Sequence, residues 1–329
     1  MVDRPICRLR VVFFGTPDFA VPSLQMLLDS PHQVVGVVTQ PDRPRGRGQH
    51  VSESPVKQQA RQHGLVVLQP ERIKEEGFLS ALRELRVDLG VVAAYGKILP
   101  AAILQMPARG LVNVHASLLP RYRGAAPVHR AVLAGELETG VSIMHVVQAL
   151  DAGAVYATAR RPIGPDETSS EVEQDLAHLG AALLRDVISQ LVSGRASTVP
   201  QNDSLATYAS RLQKDEGVID WTKGARVIHN QVRGLQPWPL AWTYLAGRRL
   251  ILMKTTVGVE ASAGGLDLGM DPGTVVAVTS GAMRVQTGEG VLDVWRVQPE
   301  GRRAMTVSEF VAGHPLVAPA RFDAPATSP

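Results

Sequence analysis

Five short apolar runs constrain the fold of the amino-terminal half of the chain more than any other feature. The runs occupy residues 9–14, 34–38, 65–68, 87–94 and 110–114. A stretch with helical periodicity or a loop separates each run from the next. Strands that alternate with helices in this way form parallel sheets with right-handed crossovers. The pattern therefore predicts an α/β domain that is built around a mostly parallel sheet.

The turn after the first predicted strand excludes two common uses of such a sheet. Gly15 is followed by Thr-Pro-Asp, and neither a G-x-G-x-x-G fingerprint nor the spacing of a phosphate-binding P-loop occurs there. Glycines at those spacings let a backbone approach the phosphates of a nucleotide closely. Nicotinamide-dependent and nucleotide-hydrolysing enzymes therefore lose their main support in the sequence.

The carboxy-terminal part of the chain has a different periodicity. Short β runs with glycine or aspartate between them occupy residues 240–245, 249–254, 273–278, 283–286 and 291–297. A predicted helix at 225–233 precedes them. Closely spaced short strands of this kind are typical of a small β-barrel or sandwich. Trp221 and Trp238 are interpreted as core aromatics at the seam between this part and the first, with stacking on a base as the alternative.

Small and polar residues fill positions 193–203, after a long amphipathic helix predicted at 169–192. Glycine, serine, threonine, proline and asparagine in such a stretch are typical of a connection between domains. We therefore predict a first domain at residues 1–192, a linker at 193–207 and a second domain at 208–329.

The composition bounds the setting of the protein. The chain has 329 residues, of which 45% are hydrophobic and 20% charged, and its formal net charge is +3. A balance this mildly basic permits a polyanionic partner without requiring one. Cys7 is the single cysteine, which excludes an intrachain disulfide and a cysteine metal cluster. Arginines interrupt any signal-peptide core, and no apolar run has the length of a membrane span, so we expect a cytoplasmic protein.

Two side chains that can carry chemistry lie at the end of the fifth apolar run. Asn113 and His115 are two residues apart, so a strand directs both toward the same face. Ligands bind at the carboxyl ends of strands in open parallel sheets. The Asn-x-His pattern alone does not separate a catalytic pair from a strand end that caps a turn. Asp151, in a tight loop after a predicted strand at 140–147, is equally open because aspartate is common in turns.

Several short motifs follow one another at characteristic spacings. They are Phe14-Gly-Thr-Pro-Asp-Phe-Ala20, Thr39-Gln-Pro-Asp-Arg43, Ala94-Tyr-Gly96, Asn113-Val-His-Ala-Ser-Leu-Leu-Pro120, Arg123-Gly-Ala-Ala-Pro127, Leu150-Asp-Ala-Gly153, Ile219-Asp-Trp221 and Pro237-Trp-Pro239. With these motifs, the chain resembles the methionyl-tRNA formyltransferase family along nearly its whole length. One departure is Ala116, where a glycine often follows the histidine. The alanine reduces the freedom of the backbone there and removes no chemical group.

The resemblance implies a Rossmann-like catalytic domain that binds 10-formyltetrahydrofolate as a co-substrate, followed by an OB-like β-barrel that helps to hold tRNA. The implied reaction moves a formyl group from N10 of the folate to the α-amine of methionyl initiator tRNA. By matching position, the implied catalytic residues are Asn113, His115 and Asp151. The implied folate-binding residues are Ser117, Leu118, Leu119 and Pro120.

Formyl transfer is an acyl transfer, which needs a hydrogen-bond donor to the oxyanion, proton handling and the exclusion of water. Asn113 can donate its amide N–H to the oxyanion, and a protonated His115 can donate a stronger, charge-assisted hydrogen bond. Asp151 can fix the tautomer of His115. Either His115 or Asp151 could accept the proton of the attacking amine. No step requires a metal ion, and no group of residues has metal-ligand spacing.

Two other functions stay open at the level of the sequence. The folate site could serve an enzyme whose acceptor is a sugar amine or a small ribonucleotide amine, although the long carboxy-terminal part favours tRNA. The chain could instead bind folate or tRNA without turnover, although the complete set of Asn113, His115 and Asp151 argues against this. We expect the protein to act as a monomer.

An arginine-rich loop at residues 41–50 also favours a tRNA substrate. It places Arg43, Arg45 and Arg47 among prolines and glycines, so it is not helical throughout. Most charge clusters of this type are solvated surface loops, whereas the functional interpretation is a mobile arm that contacts phosphates. The resemblance places Arg43 in the loop that similar enzymes insert at the acceptor end of tRNA.

Replacing Arg43 by alanine should raise the KM for tRNA far more than the KM for the folate, because arginine pairs with phosphates. Replacing all three arginines should flatten the dependence of log affinity on log salt concentration by up to about three units, at roughly one unit per phosphate contact. Binding titrations over a range of salt concentrations measure this slope. An unchanged slope with unchanged tRNA kinetics would reduce the loop to a solvated surface feature.

Overall fold

The computed structural model describes residues 8–45, 50–258, 270–279, 281–314, 316 and 320–323. Its strands are β1 (Arg10–Gly15), β2 (Gln33–Val38), β3 (Arg43–Arg45), β4 (His50–Ser52), β5 (Val67–Leu68), β6 (Leu89–Ala93), β7 (Leu111–His115), β8 (Arg123–Gly124), β9 (Glu138–His145), β10 (Val155–Pro162), β11 (Tyr208–Ala209), β12 (Ala241–Leu245), β13 (Arg248–Val257), β14 (Val275–Val278), β15 (Met283–Gln286), β16 (Val291–Pro299), β17 (Met305–Thr306) and β18 (Phe322–Asp323). Its α-helices are α1 (Val21–Leu28), α2 (Pro55–Gln62), α3 (Glu76–Glu84), α4 (Ala101–Leu104), α5 (Pro127–Leu133), α6 (Ser169–Val192), α7 (Ala225–Gly234) and α8 (Val307–Gly313). None of the described helices is both long and apolar enough to cross a membrane.

The chain divides into two units. The first comprises residues 1–127, 138–162 and 173–210, and the second comprises residues 128–137, 163–172 and 211–329. Two short segments that precede the predicted linker thus belong to the second unit. The division of functions between residues 1–192 and 208–329 stays a prediction.

Seven strands of the first unit form one sheet in the order β10-β9-β7-β6-β1-β2-β5. β1, β2, β5, β6 and β7 are parallel to one another, whereas β9 runs antiparallel to β7 and β10 runs antiparallel to β9. The predicted mostly parallel, Rossmann-like sheet is confirmed. β10 was not predicted, because its residues are exposed or half-buried and form no apolar run.

The sequences of the parallel strands are apolar because both faces of these strands are buried. Five of the six residues of β1 are buried, and so are four of the five residues of β6. Phe14 and Tyr95 meet edge to face with ring centroids 5.5 Å apart. Burial of one such side chain stabilises a fold by about 1.5–3 kcal/mol. The central strands therefore provide a rigid base for the loops at their carboxyl ends.

The motif Ala94-Tyr-Gly96 has a structural explanation. The Tyr95 ring is 2% exposed, and burial raises the pKa of its phenol to about 12, so the phenol stays neutral. Its backbone carbonyl accepts a hydrogen bond of 2.9 Å from the Gln40 side chain. The motif thus joins the end of β6 to the end of β2.

The second unit contains an antiparallel sheet in the order β14-β15-β16-β13-β12-β18, with β17 beside β16. α7 packs on β13 and β16 and contributes Ile228 and Val232 to the core. Trp221 belongs to this core and stacks on Phe322 at a centroid distance of 5.0 Å, which confirms its interpretation as a core aromatic. Trp238 is 53% exposed, so the same interpretation is wrong for that residue.

His229 is a buried polar residue of the second unit. Its Nε2 lies 2.9 Å from the carbonyl oxygen of Pro165, and its Nδ1 lies 3.0 Å from the Thr255 hydroxyl. A carbonyl only accepts hydrogen bonds, so Nε2 carries the proton and Nδ1 accepts from Thr255. Burial lowers the pKa of His229, and this effect outweighs the opposite influences of the hydrogen bond to the Pro165 carbonyl and of Asp166. The neutral ring is therefore the stable form in the folded protein.

The lowered pKa of His229 makes the stability of the second unit depend on pH. The unfolded chain takes up a proton near the ordinary pKa of 6.5, whereas the folded chain resists it. The contribution to the unfolding free energy is fully present above that value and is lost as the pH falls through the lower, folded pKa. His229→Gln keeps a donor for Pro165 but cannot become charged, so its melting temperature should fall less on acidification.

Thermal unfolding of both proteins at about pH 7.5 and about pH 5.5 measures this difference. Burial also lowers the pKa values of His32 and His129, so the variant should retain part of the acid sensitivity. Equal acid shifts of the melting temperature in both proteins would contradict the role assigned to His229.

Candidate active site

β7 carries the two predicted residues Asn113 and His115 at the carboxyl end of the sheet. It lies between β6 and β9, where Asn113 is opposite Val92 and Met144, and His115 is opposite Ser142. His115 is 5% exposed, whereas Asn113 is half-buried. Within the described part of the chain, the Asn113 side chain makes no hydrogen bond. Its amide is therefore available to a ligand at the strand end.

The orientation of the His115 ring is fixed by the loop that follows it. Nε2 lies 3.0 Å from the carbonyl oxygen of Tyr122, and because a carbonyl only accepts, Nε2 carries a proton. Nδ1 faces Oδ2 of Asp151 at 3.7 Å, which is longer than a hydrogen bond but close enough for charge attraction. In the neutral ring, Nδ1 is therefore the basic nitrogen, and it faces a carboxylate.

Asp151 is held by a strained turn and by a hydrogen bond from a neighbouring loop. Its φ of 46° lies in the left-handed region, which non-glycine residues adopt at a cost of about 1–2 kcal/mol. Its Oδ2 accepts a hydrogen bond of 2.8 Å from the Gly124 N–H. At Gly153 an added Cβ would lie 1.7 Å from the carbonyl oxygen of His145, so only glycine fits the end of the turn.

The predicted folate-binding residues directly follow His115. Ser117 is buried and donates a hydrogen bond of 2.7 Å to the carbonyl oxygen of Arg121. Leu118, Leu119 and Pro120 are half-buried. The structure thus brings the predicted folate stretch next to Asn113, His115 and Asp151.

Two of the predicted tRNA-contacting arginines, Arg43 and Arg45, lie on a separate pair of strands. Arg43 is exposed on β3, which pairs with β4, and Arg45 ends the same strand. Arg47 lies outside the described residues. No hydrogen bond or ion pair among the described residues joins Arg43 to the site on β7. The expected loop is therefore partly a two-stranded hairpin.

An ion pair holds the base of this hairpin. Asp42 pairs with Lys57 on α2 and also accepts a hydrogen bond of 2.9 Å from Gln69. The hydrogen bond from Lys57 is the main reason why the pKa of Asp42 is lowered. The residue directly before Arg43 is therefore held in place shortly after β2.

Three residues that contact the site were not among the predicted site residues. Ser142 lies opposite His115 on β9, Arg123 belongs to a recognised motif without an assigned role, and Gln201 lies in the predicted linker. The pairing of β7 with a later strand would have pointed to Ser142. Nothing local in the sequence distinguishes Gln201 from a solvated linker residue.

Comparison with known proteins identifies the family. The family model described as formyl transferase matches residues 9–188, and the model of the formyl transferase carboxy-terminal domain matches residues 211–315. A methionyl-tRNA formyltransferase from Moorella thermoacetica is 47% identical over 309 residues, which cover 94% of this chain and 97% of that protein. The chain belongs to the methionyl-tRNA formyltransferase family. It is therefore a formyl-transferring enzyme, as the sequence motifs predicted.

Further relatives agree with membership of the methionyl-tRNA formyltransferase family. The methionyl-tRNA formyltransferase of Trichlorobacter lovleyi is 44% identical over 307 residues, which cover 93% of this chain and 95% of that protein. The crystal structure of an N-formyltransferase from Helicobacter canadensis, in complex with folinic acid and dTDP-3-aminofucose, matches with a TM-score of 0.65. It is 18% identical, and the match covers 87% of this chain and 99% of that chain. At this identity the likeness shows a shared fold.

Ser142 gives a test of the predicted folate stretch. Its buried hydroxyl donates a hydrogen bond of 2.7 Å to the carbonyl oxygen of Ser117 and accepts one of 3.1 Å from the Leu119 N–H. Ser142→Ala leaves both backbone groups unpaired, at about 1–3 kcal/mol for each buried group. The KM for 10-formyltetrahydrofolate should rise about tenfold or more, because the loop loses its fixed shape. Steady-state kinetics with each substrate varied in turn measure this effect.

The KM for tRNA provides the comparison, because among the described residues the Ser142 hydroxyl bonds only to Ser117 and Leu119 of the predicted folate stretch. A Ser142→Ala protein with an unchanged melting temperature and an unchanged KM for the folate would separate residues 117–120 from folate binding.

Proposed function

We propose that this enzyme transfers the formyl group of 10-formyltetrahydrofolate to the α-amine of methionyl initiator tRNA, giving formylmethionyl-tRNA for translation initiation. The names of relatives that match over nearly their whole length support the substrates. The observation that carries the chemistry is the arrangement at the end of β7. There the half-buried amide of Asn113 lies beside a ring whose basic nitrogen faces Asp151 at 3.7 Å.

We assign the stabilisation of the oxyanion to Asn113 and His115. When the amine attacks the formyl carbon, the carbonyl oxygen gains negative charge, and a preorganised donor stabilises it more than water does. The Asn113 amide supplies such a donor because no described residue competes for it. Once His115 has accepted the proton of the amine, its positive charge adds to this stabilisation. The intermediate then collapses as the bond from carbon to N10 breaks.

We propose that the pair formed by His115 and Asp151 accepts the proton of the attacking amine. The Nε2 proton of His115 is committed to the carbonyl oxygen of Tyr122, so the lone pair that can accept a proton lies on Nδ1. The Asp151 carboxylate stabilises the charge that this transfer places on the ring. The accepted proton is then available for N10 as it leaves.

We further propose that residues 1–192 bind the folate, that residues 193–207 form the linker, and that residues 208–329 form an OB-like barrel that binds tRNA. The folate-binding residues are then Ser117, Leu118, Leu119 and Pro120. The antiparallel sheet of β12 to β18 supports the barrel. The exposed Arg43, together with Arg45 and Arg47, would contact tRNA phosphates. The proposed enzyme is a cytoplasmic monomer, in accord with a single cysteine and a role in translation.

Purified protein should formylate methionyl initiator tRNA in the presence of 10-formyltetrahydrofolate. Asn113→Ala, His115→Ala and Asp151→Asn should each lower the single-turnover rate by about a hundredfold or more, because one preorganised donor or acid–base group contributes that much. Asp151→Asn keeps an oxygen that can accept from the Gly124 N–H, so it removes the charge with little change in shape. Rapid-quench measurements with saturating substrates give the rates.

The exposed Gln105, which follows α4, provides a matched surface control as Gln105→Ala. A normal single-turnover rate in any of the three variants would remove that residue from the mechanism. Transfer to a nucleotide-linked amino sugar in place of tRNA would favour the sugar-amine alternative. Tight binding of both substrates without product would favour a binding protein.

A further inference from the structure

The side chain of Gln201 is fully engaged by the loops of the active site. Its Nε2 donates hydrogen bonds of 2.7 Å to the carbonyl oxygens of both Asp151 and Gly153. Its Oε1 accepts hydrogen bonds of 3.1 and 2.8 Å from Nε and Nη2 of Arg123. Carbonyls only accept and a guanidinium only donates, so the amide has one possible orientation. Both donors and both lone pairs of this side chain are therefore used.

Arg123 extends the same network. Its side chain is 4% exposed, and Nη2 also donates to Asp203 at 2.7 Å. The next residue is Gly124, whose N–H holds the Asp151 carboxylate at 2.8 Å. Gln201 therefore contacts the Asp151 turn directly through two carbonyls, and it contacts the donor to the Asp151 carboxylate through Arg123.

The backbone of residues 199–209 also forms hydrogen bonds with the active-site loops. Val199 exchanges two hydrogen bonds of 2.9 Å with Val155, just beyond the turn. β11 pairs with β8, and the Arg123 N–H donates to the carbonyl oxygen of Thr207 at 2.8 Å. An added Cβ on Gly124 would lie 2.7 Å from the carbonyl oxygen of Ala209, and its φ is 123°. The part of the predicted linker that contains Gln201 is thus bound against the active-site loops at both of its ends.

We propose that Gln201 is a positioning residue for the formyl transfer. It fixes the strained Asp151 turn relative to β8, and so directs the Asp151 carboxylate toward His115. This role rests on the catalytic role proposed for Asp151. A left-handed aspartate needs support from its surroundings, and Gln201 binds two carbonyl oxygens of that turn. Gln201 does not touch the reacting atoms. Its effect should appear in the rate of the chemical step and not in the affinity for either substrate.

Gln201→Leu replaces the amide by an apolar side chain of similar size and removes all four hydrogen bonds. We expect kcat to fall by about tenfold to a hundredfold, since small misplacements of a catalytic group cost that much, while both KM values change less than about threefold. Gln201→Glu keeps acceptors for Arg123 but turns a carboxylate toward the carbonyls of Asp151 and Gly153. It should lose a similar factor in kcat. Gln190→Glu, at an exposed position of α6, is the matched control and should behave as the original enzyme.

A double-mutant cycle with Asp151→Asn tests whether Gln201 acts through Asp151. Once the carboxylate is absent, Gln201→Leu should lower kcat by less than about twofold further, because coupled residues are not additive. An equal fold decrease in kcat in both backgrounds would overturn the proposal. A Gln201→Leu enzyme with the same kcat as the unsubstituted enzyme would overturn it as well. If Gln201→Leu does not fold, as judged by its melting temperature, the same cycle with Gln201→Glu decides the question.

The two levels of the hypothesis fail in different ways. A slow Asp151→Asn enzyme with an unaffected Gln201→Leu enzyme overturns positioning and leaves the catalytic assignment intact. An Asp151→Asn enzyme with the original kcat overturns both.

Discussion

The hydrogen bond from the Gly124 N–H to the Asp151 carboxylate joins two loops that leave different strands, and the geometry of the site depends on it. The same short segment also presents the carbonyl oxygen of Tyr122, which fixes the proton on Nε2 of His115. One segment thus sets both the orientation of the imidazole and the direction of the carboxylate. The left-handed φ values of Tyr122 and Asp151, 59° and 46°, show that the two loops reach this arrangement through sharp turns.

Local sequence patterns predicted where two of the candidate site residues lie in the fold. Asn113 and His115 end a strand that is apolar because most of its side chains are buried within the sheet, and the two-residue spacing then determines their common face. The first-unit sheet was predictable for the same reason, since buried parallel strands are continuous apolar runs. Asp151 could not be assigned from its local sequence, because aspartate is common in turns, and only the resemblance to the family grouped it with Asn113 and His115.

The parts that could not be predicted depend on contacts between distant residues. β10 has no apolar run because exposed residues alternate along it. β8 and β11 have two residues each, and their pairing joins residues 123–124 to 208–209, so no local periodicity marks them. Trp238 was interpreted as a core aromatic, yet it is exposed. In the sequence Gln201 cannot be told from the other polar residues of the predicted linker, and only its four hydrogen bonds in the structure distinguish it from them.

The pairing of β11 with β8 also bears on how such enzymes can exchange their parts. A chimaera that takes its carboxy-terminal half from another member of the family would commonly be joined in the polar stretch after α6. If the junction falls before Val199, the recipient's β8 must pair with a foreign β11, and Arg123 must find a foreign partner in place of Gln201. A junction after Ala209 keeps these contacts within one parent. In this fold, residues 199–209 therefore have to come from the same parent as the first unit.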